Sequence, residues 1–129
     1  MNAYDILKNN ERYAVVGMHE DESKYAHKIY KLLKEKGKSV YGLNPKFTEI
    51  NGDRIYADLN ELNKEVDVAV FVVNPKIGIH MLDDMKKYNV SYLWMQPGSL
   101  DEDFRKKAES MDLKIIEACV LAVYAIHDR

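Results

Sequence analysis

Two periodicities alternate along the chain. Runs rich in β-branched and aromatic residues occur at 13–16, 39–41, 66–73, 91–94 and 114–116, a composition that suits strands. Only Asp67 interrupts the apolar character of 66–73, as expected of a strand covered on both faces of a parallel sheet. Between the runs the spacing changes. Ala26, Ile29, Tyr30 and Leu33 fall at i, i+3, i+4, i+7, with Lys28, Lys31, Lys34 and Glu35 on the other side. That predicts an amphipathic helix, stopped by Gly37. Gly78, Met81, Leu82 and Met85 repeat the spacing before Tyr88. A third helix opens in Ser99-Leu100-Asp101-Glu102, which reads as a capping box, and buries Phe104, Ala108 and Met111.

The predicted order is β-α-β-irregular-β-α-β-α-β, with extra helices at 3–10 and 119–126. Such alternation implies right-handed crossovers. It predicts a three-layer α/β fold, with a parallel five-stranded sheet and helices on both faces, as one domain over residues 1–129. The irregular segment, 47–64, contains Asn51-Gly52, a turn signal, and one short helix near 58–63. One echo stands out: Val-Tyr-Gly-Leu-Asn-Pro-Lys at 40–46 and Val-Phe-Val-Val-Asn-Pro-Lys at 70–76. It is too short for a repeat and marks two equivalent strand ends.

Composition narrows the chemistry. The 129 residues are 47% hydrophobic and 31% charged, with a formal charge of −2, ordinary values for a globular domain. The charge gives no support for a nucleic-acid partner. No apolar run is long enough to span a membrane, and the amino terminus does not read as a signal peptide; the expected location is the cytoplasm. One cysteine allows no internal disulfide. No histidines share metal-ligand spacing with an acid or cysteine, so no metal is expected.

In an open α/β sheet, ligands bind outside the carboxyl ends of the strands, near the point where strand order reverses. Asn44-Pro45, Asn74-Pro75 and Gln96-Pro97 all follow apolar runs and fall on that edge. Strand one ends there in Val15-Val16-Gly17-Met18-His19, where a glycine lets a backbone approach a ligand closely. The following helix, starting near 21–23 with Asp21 or Ser23 as cap, offers N–H groups to a phosphate. A G-x-G-x-x-G fingerprint and a Gly-Lys-Ser/Thr triplet are both absent, which disfavours tightly bound NAD and a Walker loop. Where NAD-binding folds place a ribose-binding acid, this chain has Asn44-Pro45-Lys46. A lysine there suits a ribose phosphate, so the expected ligand is CoA or NADP. A phosphoacceptor domain is excluded, because Val16-Gly17 and Asn74 stand where acids are needed and Asp67 begins its strand.

At these residues the chain resembles the small stand-alone CoA-binding proteins, whose Rossmann-like domain is similar to the CoA-binding domain of succinyl-CoA synthetase α-subunits. The likeness runs over residues 12–120. It rests on Val15-Val16-Gly17, Ser23-Lys24-Tyr25, Gly37 with 40–45, Tyr56-Ala57-Asp58-Leu59, Val66-Asp67-Val68, Trp94-Met95-Gln96-Pro97-Gly98 and Cys119. The resemblance implies that 17–24, including Gly17, Met18, His19, Ser23 and Lys24, cradle CoA phosphates, with Tyr25 next to them in the same cofactor site. It implies that Asn44, Pro45 and Lys46 hold the 3′-phosphoadenosine end, that Asn74, Pro75 and Lys76 line the nucleotide pocket, and that Gln96 and Gly98 belong to the same edge. Departures are His19 where the family has serine, the acids Glu20-Asp21-Glu22 beside the phosphate site, and Ala118 in place of an arginine.

The implied function is non-catalytic binding of CoA or acyl-CoA, with a homodimer as a further possibility. The alternatives are an NADP or nucleotide-binding regulatory module, and a ligand-free interaction domain that kept the fold. Cys119 reads as a small buried hydrophobe, Trp94 as core, and His27 and His80 as surface or boundary residues.

Overall fold

A computed structural model describes residues 2–128. The elements are α1 (Ala3–Asn9), β1 (Arg12–Val16), α2 (Tyr25–Glu35), β2 (Ser39–Leu43), β3 (Glu49–Ile50), β4 (Asp53–Tyr56), α3 (Leu59–Leu62), β5 (Val68–Phe71), α4 (Pro75–Gly78), α5 (Leu82–Lys87), β6 (Tyr92–Met95), α6 (Glu102–Ser110), β7 (Ile115–Glu117) and α7 (Val120–His127). The sheet order is β3-β4-β2-β1-β5-β6-β7. All neighbours are parallel except β3 and β4, which pair antiparallel.

The sheet is therefore mixed and seven-stranded, which corrects the expected parallel sheet of five. The two strands not anticipated form a hairpin in the segment read as irregular. Asn51 and Gly52 lie at φ 51° and 87°, the left-handed pair that a two-residue turn between twisted strands requires. Glu49 then faces Arg54, and Ile50 faces Asp53. Strands this short carry almost no periodicity, so only their turn was visible. Likewise, the helix predicted across 78–85 is broken. Asn74 caps α4 at Pro75, a 3₁₀ turn covers Ile79–Met81, and α5 follows.

Two apolar layers sandwich the sheet. On one face α1, α2 and α7 cover Tyr13, Val15, Val68, Val70 and Trp94. On the other, α3, α5 and α6 cover Ala14, Val16, Ala69, Phe71 and Leu93. All four residues of β5 are fully buried, matching its apolar run. In α2 the predicted stripe of Ala26, Ile29, Tyr30 and Leu33 is inside, as is His27, which corrects its reading as a surface or boundary residue. Among the described residues no helix is long and apolar enough to cross a membrane.

Capping differs from expectation at two helices. Asp101, not Ser99, caps α6, accepting from the Phe104 N–H at 2.8 Å, while Ser99 is buried. Neither Asp21 nor Ser23 caps α2. Its N-cap is Lys24, which contributes no side-chain bond.

Strand order is locked at both ends of β1. At the amino end, Asp67 accepts from the Arg12 N–H at 3.0 Å, from Arg12 Nε at 3.2 Å and from Arg12 Nη2 at 2.8 Å. Burial works to raise the Asp67 pKa. Hydrogen bonds from the Arg12 side chain and backbone, with the guanidinium charge, outweigh it and hold the carboxyl below its usual range. At the carboxyl end, Gly17 has φ +94°, and a Cβ there would lie 2.4 Å from the Val72 carbonyl oxygen.

Two outcomes follow from this clamp. Gly17→Ala combines a left-handed backbone with a clash against β5's exit, and urea denaturation should register a loss of about 2–4 kcal/mol. Asp67 contributes stability above its unfolded pKa and loses it as pH falls through the depressed folded value. Asp67→Asn should cost about 1–2 kcal/mol at neutral pH. Its stability should also decline less steeply than that of the parent below about pH 4, as read by urea titrations across that range.

Candidate functional site

The chain leaves β1 and crosses α2 to β2, and later returns to the other side of β1 as β5. Strand order reverses at that point, and the carboxyl ends of β1, β2 and β5 splay apart into a crevice. The crevice, about 370 Å³, is walled by Gly17, Asn44, Pro45, Lys46 and Asn74 among the residues expected from sequence. Val16, Leu43, Ala57, Val73, Ile77 and Met81 complete it. These apolar residues were missed because strand-end Val and Leu cannot be told from core by pattern. Ile77 is 61% exposed on the rim, and an exposed isoleucine just after Asn-Pro-Lys is a signal that could have found it.

Both asparagines build their turns. Asn44 Oδ1 accepts from the Lys46 N–H at 2.9 Å, and Asn74 Oδ1 accepts from the Lys76 N–H at 2.9 Å. Each is an Asx turn with proline at its centre, which presets the backbone. The sequence echo thus becomes a structural one. Asn44 Nδ2 also donates to the Met18 carbonyl at 2.8 Å, tying β2's exit to β1's. The glycine also packs the strand ends together. The Gly17 N–H donates to the Leu43 carbonyl at 2.9 Å, and the close approach it permits is to Val72.

Beside the crevice lies a depression of about 300 Å³ formed by Gly17, His19, Lys24, Tyr25, Ala26 and Val72. No side chain caps α2, so the positive end of its dipole is open here. His19 Nδ1 accepts from the Asp21 N–H at 3.0 Å, and its ring meets the Phe47 ring at 5.3 Å. The acids fold outward: Glu20, Asp21 and Glu22 are exposed. Asp21 accepts from the Ser23 hydroxyl at 2.7 Å and the Ser23 N–H at 2.9 Å. Those bonds hold the Asp21 carboxyl below its usual pKa.

A third depression, about 220 Å³, is lined by Tyr25, Val72, Gln96, Pro97 and Cys119. Gln96 is 3% exposed, and its Oε1 accepts from the Val120 N–H at 2.8 Å and from Trp94 Nε1 at 3.2 Å. It thereby supplies the cap that α7 lacks in its own sequence. Trp94 is fully buried, as expected. Cys119 is half-buried and borders the depression, which corrects its reading as a buried packing residue.

Shared walls at Gly17, Val72 and Tyr25 make the three depressions one edge. The structure therefore gathers Gly17, His19, Lys24, Tyr25, Asn44, Pro45, Lys46, Asn74 and Gln96. Met18 is fully buried beneath α2. Ser23, Pro75, Lys76 and Gly98 flank the edge without lining it. Among the described residues no cluster of His, Cys, Asp and Glu suits a metal.

An open α/β sheet with an apolar crevice at its switch point and an uncapped helix beside it makes this a Rossmann-like domain. The comparisons specify which. The profile of the CoA binding domain family matches residues 11–125, and the chain belongs to that family. The α-subunit of an ADP-forming acetate–CoA ligase from Pyrococcus furiosus is 36% identical over 73 residues. That match spans 56% of this chain and only 16% of the ligase subunit. Among solved structures, a conserved hypothetical protein from Pyrococcus furiosus superposes with TM-score 0.80 at 34% identity, covering 87% of this chain and 97% of that one. A hypothetical protein from Pyrococcus horikoshii reaches TM-score 0.89 at 25% identity, covering 98% and 92%.

Gln96→Met keeps the volume and removes the acceptor. Trp94 Nε1 retains the Ala118 carbonyl at 2.9 Å, but the Val120 N–H is orphaned. The expected cost is about 1–3 kcal/mol by chemical denaturation.

Proposed function

We propose that the chain binds CoA or acyl-CoA along this edge and performs no chemistry on it, acting in the cytoplasm. The observation that carries the reading is the crevice at the strand-order reversal, framed by two Asx-Pro turns and continuous with the open amino terminus of α2. The first-turn N–H groups of α2 and Lys24 would receive the pyrophosphate. Lys46, exposed at the end of β2, would meet the 3′-phosphate. The apolar crevice walls suit adenine, and the depression at Gln96 and Cys119 lies further along the same edge for the pantetheine arm. Family membership supports the ligand class.

Calorimetry with CoA, dephospho-CoA and NADP tests the reading. CoA should bind, and removal of its 3′-phosphate should weaken binding about tenfold, a modest factor because Lys46 is solvated. Lys46→Ala should lower CoA affinity to that of dephospho-CoA and leave dephospho-CoA unchanged. Equal binding of the two ligands removes the role of Lys46. Absence of CoA binding at millimolar concentration overturns the assignment in favour of a ligand-free interaction domain.

A further inference from the structure

The depression at the far end of the sheet edge, about 220 Å³, is the smallest of the three that compose it. Three of its walls come from successive strand exits. Val72 follows β5, Gln96 follows β6, and Cys119 lies two residues past β7. Tyr25 and Pro97 complete the lining. The phosphate end of the proposed CoA site lies at the exit of β1, beside Gly17 and the start of α2. From β1 the sheet runs on through β5 and β6 to β7. Cys119 therefore stands three strand spacings away, about 14 Å. The pantetheine arm is a chain of two amide units, roughly four residues in length, and reaches about 14 Å when extended. A CoA whose pyrophosphate sits at the start of α2 thus brings its sulfur to this depression.

The lining decides what the sulfur can carry there. None of the five lining residues is charged. The Tyr25 ring, 61% exposed, forms the outer wall, while Val72, Pro97 and the half-buried Cys119 present carbon and sulfur surface. Behind them the floor is closed. Trp94 and Val120 are fully buried, and Gln96 is pinned between them because its Oε1 accepts from both. The depression cannot deepen to house a long chain. Its volume also falls below the roughly 300 Å³ at which sites for whole small molecules begin, so it suits the end of a ligand. An apolar fragment gains about fourfold in affinity per methylene buried. A carboxylate placed here loses its hydration and finds no partner.

We propose that this depression is an acyl pocket, which selects short, uncharged acyl thioesters of CoA over free CoA. The inference rests on the CoA reading of the edge and narrows it to one class of ligand. A short acyl group lies against Val72, Pro97 and Cys119. Longer chains leave the depression for solvent, and a succinyl group carries its charge into an apolar lining.

The test is calorimetry on the full chain with CoA, propionyl-CoA, octanoyl-CoA and succinyl-CoA. Propionyl-CoA should bind about fourfold tighter than CoA. Octanoyl-CoA should gain nothing over propionyl-CoA, and succinyl-CoA should bind roughly fivefold more weakly than propionyl-CoA. Cys119→Leu fills the pocket and should bring propionyl-CoA to the affinity of CoA or below. Cys119→Ser, of nearly equal size, should keep the propionyl preference, which separates pocket volume from thiol chemistry. The inference is overturned by equal binding of propionyl-CoA and either CoA or succinyl-CoA, or by tightening that continues to octanoyl-CoA. A propionyl preference that survives Cys119→Leu or is lost in Cys119→Ser overturns it as well. Absence of all binding removes the CoA reading of the edge and this inference with it. Intact CoA binding with a flat acyl series removes this inference alone.

Discussion

The fold turns on the contact between the exit of β1 and the exit of β5. Gly17 lies against Val72 so closely that no side chain fits between them. Its own N–H, and that of Met18, are taken by the Leu43 carbonyl at 2.9 and 3.2 Å. One peptide therefore sets the spacing of three strand ends. Because β1 is flanked by β2 and β5, that spacing is also the width of the crevice. The Arg12–Asp67 clamp fixes the opposite end of the same strands. With both ends held, residues between them have one available register, and the buried faces of β1 and β5 follow from it.

The second organising device is a local turn used twice. Asn-Pro-Lys ends β2 and follows β5, and in both places the amide oxygen satisfies the lysine's N–H. Proline cannot extend a parallel ladder, so β2 stops where the crevice begins, whereas β5 ends at Phe71, three residues before Asn74. After that the two turns diverge. The first sends the chain toward the β3–β4 hairpin, while the second, with proline at the first helical position, opens α4. The same three residues thus serve a strand exit and a helix start, because an Asx turn and an N-cap place the side-chain oxygen in the same position.

What could be read from the sequence followed interaction range. The stripe on α2 and the apolar run of β5 are set by burial of one face or both, and a periodic signal records this directly. The crevice location follows from strand alternation alone. The hairpin was hidden because β3 has two residues and β4 four, too few for a period. Its turn chemistry was legible, but its pairing was not. His27 and Gln96 were misjudged or undervalued for a related reason. Each is a polar residue made buriable by one distant backbone group, the His19 carbonyl and the Val120 N–H respectively, and no local pattern announces such a partner. The acidic run at 20–22 looked hostile to an anion, yet Asp21 turns back onto Ser23 and all three acids face solvent.

Helix starts give a final argument about where the molecule is incomplete. Asn2, Asp58, Asn74 and Asp101 cap α1, α3, α4 and α6 with their own side chains. α5 continues from a 3₁₀ turn, and α7 borrows Gln96. Among the described residues, α2 alone begins from extended backbone without a side-chain acceptor, although Asp21 and Ser23 stand four and two residues before its first residue and are chemically able to cap it. They bond to each other instead. A cap is worth about 1 kcal/mol, and leaving it out where candidates are at hand keeps several N–H groups and the helix dipole free. That vacancy faces Gly17, His19 and Val72 at the sheet edge. Under the proposed reading of this edge, a CoA phosphate would supply the acceptor that Asp21 and Ser23 do not give α2.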